Sequence, residues 1–249
     1  MIVLHIGNLG SGKTACVVRQ MAMDKSPTVY LSNIHAKLKN CIPLTGDMIV
    51  KKEVAKVKKT GEEQYKFSFN EQFWRDFSQE HKRASVVIDE AHILMNPRKS
   101  MHKASIIVQD FVSLLRRFVG QDSAGAGQLI LLTQLPRRVD VIVRELATTV
   151  VYHRCWFRKK CNKCGRSWRE HSDFPQPITL CPACGSWDLK KYSFLMELWY
   201  FRNMDTFLAW RDYREPRLAF RHKVIRDIEQ YFNLYSTFQW ENMFSDMYK

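Results

Sequence analysis

The stretch Gly7-Asn8-Leu9-Gly10-Ser11-Gly12-Lys13-Thr14 decides how the rest of the chain is read. It fits the pattern G-x-x-x-x-G-K-[ST] at every defined position. The residues before it, Ile2-Val3-Leu4-His5-Ile6, form a short apolar run of the kind buried as a parallel strand. The residues after it, from Gly12 to Met23, can form a helix. A strand, a glycine-rich turn and a helix in succession wrap backbone N–H groups around a phosphate and add the positive end of the helix dipole. This segment is therefore expected to hold a nucleotide such as ATP. Gly7, Asn8, Leu9, Gly10, Ser11 and Gly12 would form the cradle, Lys13 would reach the β- and γ-phosphates, and Thr14 would ligate Mg²⁺.

Outward from this turn, short apolar runs alternate with helical stretches. Thr28–Leu31, Ser85–Asp89 and Gln128–Thr133 are expected strands. Asn70 can cap a helix through Phe73, Trp74 and Phe77. Ile106, Ile107, Phe111, Leu114, Leu115 and Phe118 make a helical stripe, and Val139–Ala147 a short helix. Residues 41–69, rich in lysine, suggest a hairpin or excursion, and Arg221–Tyr235 returns to helical periodicity. The fold class that follows is α/β: a P-loop NTPase of RecA/ASCE-like type, with a mostly parallel sheet covered by helices on both faces.

The strand Ser85–Ile88 ends in Asp89-Glu90. A carboxylate at a strand end suits the Mg²⁺ shell, the role expected of Asp89. Glu90 beside it is placed to act as general base on the attacking water, which favours hydrolysis over phosphoryl transfer. Gln134, after the apolar run Leu129–Leu132, could sense the γ-phosphate or orient water. ATPases of this type usually borrow an arginine from a neighbouring subunit. Arg116, Arg117, Arg137, Arg138 and Arg144 are the candidates, with Arg116, Arg117 and Arg144 foremost. The literal Asp89-Glu90-Ala91-His92 also occurs in large helicases, but 249 residues with one P-loop leave no room for their second lobe.

Cys161-x-x-Cys164 and Cys181-x-x-Cys184 fit the four-cysteine zinc pattern, and each pair is followed by a glycine. Four thiolates make a closed structural Zn²⁺ site. The expected organisation is an ATPase core at 1–157, a zinc ribbon inserted at 158–190, and a return strand with a C-terminal helical part at 191–249. Trp156, Trp168 and Trp187 in this region could stack on bases or form the module's own core.

Lysine and arginine total 39 against 25 acids, a formal net charge of +14. Such an excess points to a polyanionic partner, because neutralising phosphates releases counterions. Lys51, Lys52, Lys56, Lys58 and Lys59 cluster around the single acid Glu53. Between residues 154 and 169, Arg154, Arg158, Lys159, Lys160, Lys163, Arg166 and Arg169 occur with no acid. A hydrophobic content of 45% excludes a disordered chain. No apolar run reaches the roughly 18–20 residues of a membrane span. Without a basic leader, a soluble, cytoplasmic protein is expected.

Taken in order, Gly7–Thr14, Val86–Asn96, Leu115-Arg116-Arg117, Leu132-Thr133-Gln134-Leu135-Pro136, Val139–Leu146 and Tyr231–Thr237 resemble the Zot-like P-loop ATPases of filamentous phages. More broadly they resemble the HerA/FtsK superfamily, which includes viral genome-packaging motors. The resemblance covers residues 1–150 and 190–237. It implies a homo-oligomeric ring-forming ATPase that moves double-stranded DNA or drives virion assembly through a capsid or virion protein. Filamentous-phage members usually continue into a membrane-spanning helix, and the cysteine ribbon lies outside the general pattern. Both departures favour a soluble motor touching nucleic acid, and toxin activity does not carry over. A protein-assembly ATPase and an AAA-like replication ATPase are the alternatives.

Overall fold

A computed structural model describes residues 1–57, 63–94, 107, 110–112, 127–139, 141–174, 176–213 and 215–236. Arg116, Arg117, Lys58 and Lys59 lie outside these residues, as does most of the stripe over 106–118. In chain order the strands are β1 (Ile2–Ile6), β2 (Val29–Ser32), β3 (His35–Ala36), β4 (Cys41–Pro43), β5 (Val50–Val57), β6 (Glu63–Phe69) and β7 (Ala84–Ile88). They continue with β8 (Leu129–Thr133), β9 (Thr149–Cys161), β10 (Ser167–His171), β11 (Leu189–Phe201), β12 (Arg221–Ile225) and β13 (Tyr235–Ser236). The helices are α1 (Lys13–Met23), α2 (Gly46–Ile49), α3 (Glu71–Glu80), α4 (Ala91–Leu94), α5 (Val141–Leu146) and α6 (Met204–Tyr213).

Among the described residues the main sheet has nine strands, ordered β12-β11-β9-β1-β8-β7-β2-β4, with β10 on β9. From β4 to β9 every neighbour is parallel; β11 and β12 run antiparallel. Every residue of β1, β7 and β8 is buried, as a strand covered on both faces requires. Alternate residues separate the two faces. Ile2, Leu4, Val86, Ile88, Leu129 and Leu131 pack with Trp74 of α3, Val143 of α5 and Phe207 of α6. Val3 packs with Ala15 and Cys16 of α1, while Val87, Ile130 and Leu132 pack with its Val17, Val18 and Met21.

The strand β8 lies between β1 and β7. The turns leaving the carboxyl ends of β1, β7 and β8 are therefore neighbours, the edge where open α/β sheets bind ligands. At the start of α3, Asn70 Oδ1 accepts from the Phe73 amide at 3.3 Å, the expected cap. Strands β5 and β6 pair antiparallel, with Val50 opposite Phe69 and Val57 opposite Glu63. The expected helix over Arg221–Tyr235 is instead strand β12 followed by a 3-10 turn, Ile228–Leu234. The open edge of β11 from Met196 to Tyr200 takes up the backbone of 221–225, and this pairing overrides the periodicity.

Candidate functional site

The amide of Ser11 donates to the Asn8 carbonyl at 3.1 Å, closing the turn between β1 and α1. Gly12 occupies the N-cap in the left-handed region at φ 77° and offers no side-chain cap, so the first-turn amides of α1 stay open to an anion. Gly7 is needed for space. A Cβ there would sit 2.5 Å from Ser11 Oγ and 2.7 Å from the His153 carbonyl oxygen on β9. Lys13 is buried, and its Nζ donates to the carbonyls of Gly7 at 2.9 Å and Asn8 at 3.2 Å. Burial lowers its pKa, against the opposing pull of Asp89 and Glu90.

Asp89 and Glu90 follow β7 directly. Thr14 Oγ1 donates to Asp89 Oδ2 at 2.9 Å, which joins the two expected Mg²⁺ ligands across the sheet. Burial raises the Asp89 pKa, while the Thr14 hydroxyl opposes the shift. Hard oxygen donors of this kind fit Mg²⁺, which takes few protein ligands and keeps its waters and phosphates. Glu90 adopts a positive φ of 52°. Its Oε1 accepts from Gln134 Nε2 at 2.5 Å, and its Oε2 lies 3.2 Å from His92 Nδ1. Gln134 reaches it because β8 sits beside β7. Burial keeps His92 below its ordinary pKa, and its Nδ1 is also 3.2 Å from Thr133 Oγ1.

These groups surround a cavity of about 440 Å³ lined by Leu9, Gly10, Gly12, Lys13, Thr14, Asn33, Ile34, Asp89, Glu90, Gln134, Tyr235 and Ser236. Two contributions are invisible to motif reasoning. Asn33, just past β2, accepts from the Asp89 amide at 2.7 Å and donates to the Asp89 carbonyl at 3.1 Å, pinning the acidic turn. The polar end of a strand parallel to β7 was the available signal. Tyr235 arrives from the far end of the chain because β13 pairs with β3; burial pushes its phenol up to about 12, with Asp89 adding to the rise. Lys13 is the single cation among the described residues lining the cavity. Arg137 and Arg138 are exposed on the turn after Gln134, and Arg144 sits on α5 away from the cavity lining.

The four cysteines form a second cluster. Their Sγ atoms all lie within 4.8 Å of one another, with Cys161–Cys184 at 3.6 Å and Cys164–Cys181 at 3.5 Å. Tetrahedral Zn–S bonds of about 2.3 Å would put sulfurs roughly 3.8 Å apart. The donor set therefore fits Zn²⁺. The two knuckles repeat one geometry: the Gly165 amide donates to the Cys161 carbonyl and the Gly185 amide to the Cys181 carbonyl, each at 2.9 Å. The amide of Cys164 holds Cys161 below the ordinary thiol range. At Cys181 desolvation pushes upward, yet the Ala183 and Cys184 amides bring the thiol down to about 6.

The cluster sits at the far end of the long antiparallel pair β9–β11, where Leu189 faces Cys161. The basic residues around it divide into two groups. Arg154 pairs with Asp173 at 2.6 Å, and buried Lys159 pairs with Glu170 at 3.0 Å, so these two charges are internal. Register sets Arg158 opposite Arg169 and Lys160 opposite Lys190. All four are exposed on one face, with no carboxylate at those register positions. Trp168 donates to Glu170, and Trp187 is 82% exposed.

The family model described as zonular occludens toxin (Zot) matches residues 1–167. Among solved structures, the N-terminal domain of zonular occludens toxin from Neisseria meningitidis is 21% identical, covering 94% of this chain and 98% of that one at a TM-score of 0.45. The genome packaging NTPase B204 from Sulfolobus turreted icosahedral virus 2, in complex with ATP-gammaS, is 19% identical, with 61% and 74% covered and a TM-score of 0.36. No curated protein matches. Among the described residues no helix is long and apolar enough to cross a membrane. With 167 of its 249 residues matched, and a phosphate cradle facing paired acids at the carboxyl end of its sheet, the chain belongs to the zonular occludens toxin (Zot) family and is a P-loop NTPase.

Proposed function

We propose that this protein is an ATP-hydrolysing motor that couples turnover to the translocation of double-stranded DNA, as in viral genome packaging. The observation that carries the reading is the Thr14–Asp89 contact with Glu90 beside it, held by Gln134. Lys13 leaves its carbonyl partners to meet the β- and γ-phosphates, and the open amides of α1 receive the phosphate oxygens. Bound through Thr14 and Asp89, Mg²⁺ would supply charge neutralisation on the phosphates. Glu90 takes the proton of the attacking water, and Gln134 fixes the direction of its carboxylate.

Lys13 as the one cation among the described lining residues supports a homo-oligomeric ring in which a neighbour contributes an arginine, with Arg116, Arg117 and Arg144 as candidates. The assigned division is a core at 1–157, a zinc ribbon at 158–190 and a return segment at 191–249. Cys161, Cys164, Cys181 and Cys184 would hold Zn²⁺ as a structural ion at the tip of β9–β11, and the Arg158, Lys160, Arg169 and Lys190 face there would meet phosphates. The reading places the protein in the host-cell cytoplasm, where genome and capsid meet.

The experiment is ATPase activity with and without double-stranded DNA. Stimulation by duplex, lost in Lys13→Ala, is expected. Turnover indifferent to DNA but stimulated by a virion protein would replace translocation with an assembly role. Binding of duplex should also weaken with salt, and neutralising the four exposed cations should flatten the log–log slope by up to ~3.6, at ~0.9 for each phosphate left without its cation.

A further inference from the structure

A second cavity, of about 480 Å³, opens at the amino ends of β2, β7 and β8, the opposite edge of the sheet from the nucleotide site. Four cations line it: Arg19 of α1, Arg83 just before β7, and Arg221 and Lys223 of β12. Asp24 is the one acid among the described lining residues. It does not neutralise them. Its Oδ1 accepts from the Ser26 amide at 2.9 Å and its Oδ2 from the Tyr30 hydroxyl at 2.7 Å. Arg19 reaches Asp227 at 3.4 Å. No ion pair among the described residues includes Arg83, Arg221 or Lys223.

The unbalanced charge is partly removed from water. The Nε atoms of Arg19 and Arg83 are buried without an acceptor, a costly arrangement unless an anion compensates it. The cations also act on one common space. Burial pushes the Cys16 thiol up to about 12, against Arg19 and Lys223 pulling it down. Arg221 lies 5.5 Å from the Tyr200 ring on the same wall. The strand period explains the convergence, since residues 221, 223 and 225 share one face of β12. The volume falls in the roughly 300–1,000 Å³ range of small-ligand sites, and guanidinium forks match phosphate oxygens.

We propose that this cavity binds a small polyphosphate anion of the diphosphate class, at a site separate from the P-loop. With Arg19 paired to Asp227 and Asp24 held by Ser26 and Tyr30, the charges of Arg83, Arg221 and Lys223 stay uncompensated, which suits an anion carrying two or more negative charges. The recess would exclude a DNA duplex backbone while admitting a free diphosphate. The site is independent of the motor reading.

The test is calorimetric titration of inorganic pyrophosphate into the full chain, with the P-loop saturated by Mg-ATPγS. One site per chain is expected, weakened at least tenfold in Arg83→Met and in Arg221→Met, with ATPγS affinity unchanged. Arg221→Met lies on an exposed edge strand and decides the matter if Arg83→Met fails to fold. Absence of pyrophosphate binding by the wild type overturns the site, as does an Arg221→Met affinity within twofold of it. Displacement of pyrophosphate by a short DNA duplex would assign the cations to nucleic-acid backbone and overturn the small-ligand assignment.

Discussion

Acidification from pH 7 to pH 5 should destabilise this protein through two histidines beneath the phosphate cradle. His5 of β1 and His153 of β9 face each other with Nδ1 and Nε2 2.7 Å apart, at 4% and 0% exposure. Burial, aided by the charge of Lys13, lowers His5 to about 3. Burial, His5 and Lys13 hold His153 well below its ordinary value. In the unfolded chain both titrate near 6.5, so the unfolded state gains protons below that pH while the folded state stays neutral. Stability is therefore full above about pH 6.5 and is lost as pH falls toward the folded pKa. Between pH 7 and 5 the loss is ~2 kcal/mol for each histidine and ~4 kcal/mol for both. That is a large share of a typical ~5–15 kcal/mol total. Urea unfolding midpoints at pH 7, 6 and 5 measure it in wild type and in His5→Leu/His153→Leu. The double variant should lose most of the pH slope, whatever its absolute stability. An identical slope in both proteins would refute the argument.

Three further outcomes follow from the same geometry. Glu90→Gln should lower single-turnover hydrolysis by ~10²–10⁴-fold while ATP binding persists; hydrolysis within threefold of wild type would remove Glu90 as the base. Glu170→Gln should destabilise the ribbon by ~3–5 kcal/mol by stranding buried Lys159, and Lys159→Met with Glu170→Leu should recover most of it. Protease resistance of residues 158–190 reports this, and equal damage in the single and double variants would count against the ion-pair argument. Protein purified without added metal should carry about one zinc ion per chain, lost in Cys161→Ser/Cys181→Ser. A ribbon equally protease-resistant before and after chelation would rule out a structural metal.

Much of the architecture is legible in the residues because it is local. A strand buried on both faces must be a predominantly apolar run, as Ile2–Ile6, Ala84–Ile88 and Leu129–Thr133 are, with His5, Ser85 and Thr133 as their single polar members. A phosphate cradle needs glycine at fixed offsets before a helix, and a thiolate knuckle needs Cys-x-x-Cys-Gly. Such short-range demands also mark the carboxyl ends of the strands, and with them Lys13, Thr14, Asp89, Glu90 and Gln134 as candidates. Periodicity misled over Arg221–Tyr235, where an open strand edge supplied hydrogen-bond partners from elsewhere in the chain.

The amino-acid sequence by itself determined the family, the class of sheet and the positions of the chemistry-bearing turns. Only the tertiary structure decided which groups meet. Strand order set β8 between β1 and β7, so Gln134 touches Glu90; pairing of β13 with β3 brought Tyr235 to the cavity. Cross-strand register divided one acid-free basic run into internal Arg154 and Lys159 and an exposed face around Arg158 and Lys160. The same long-range pairing gathered four cations from α1, the residue before β7, and β12 around a cavity that no linear motif marks. Contacts between residues far apart in the chain depend on strand order and register, and these emerge only when the whole core packs at once.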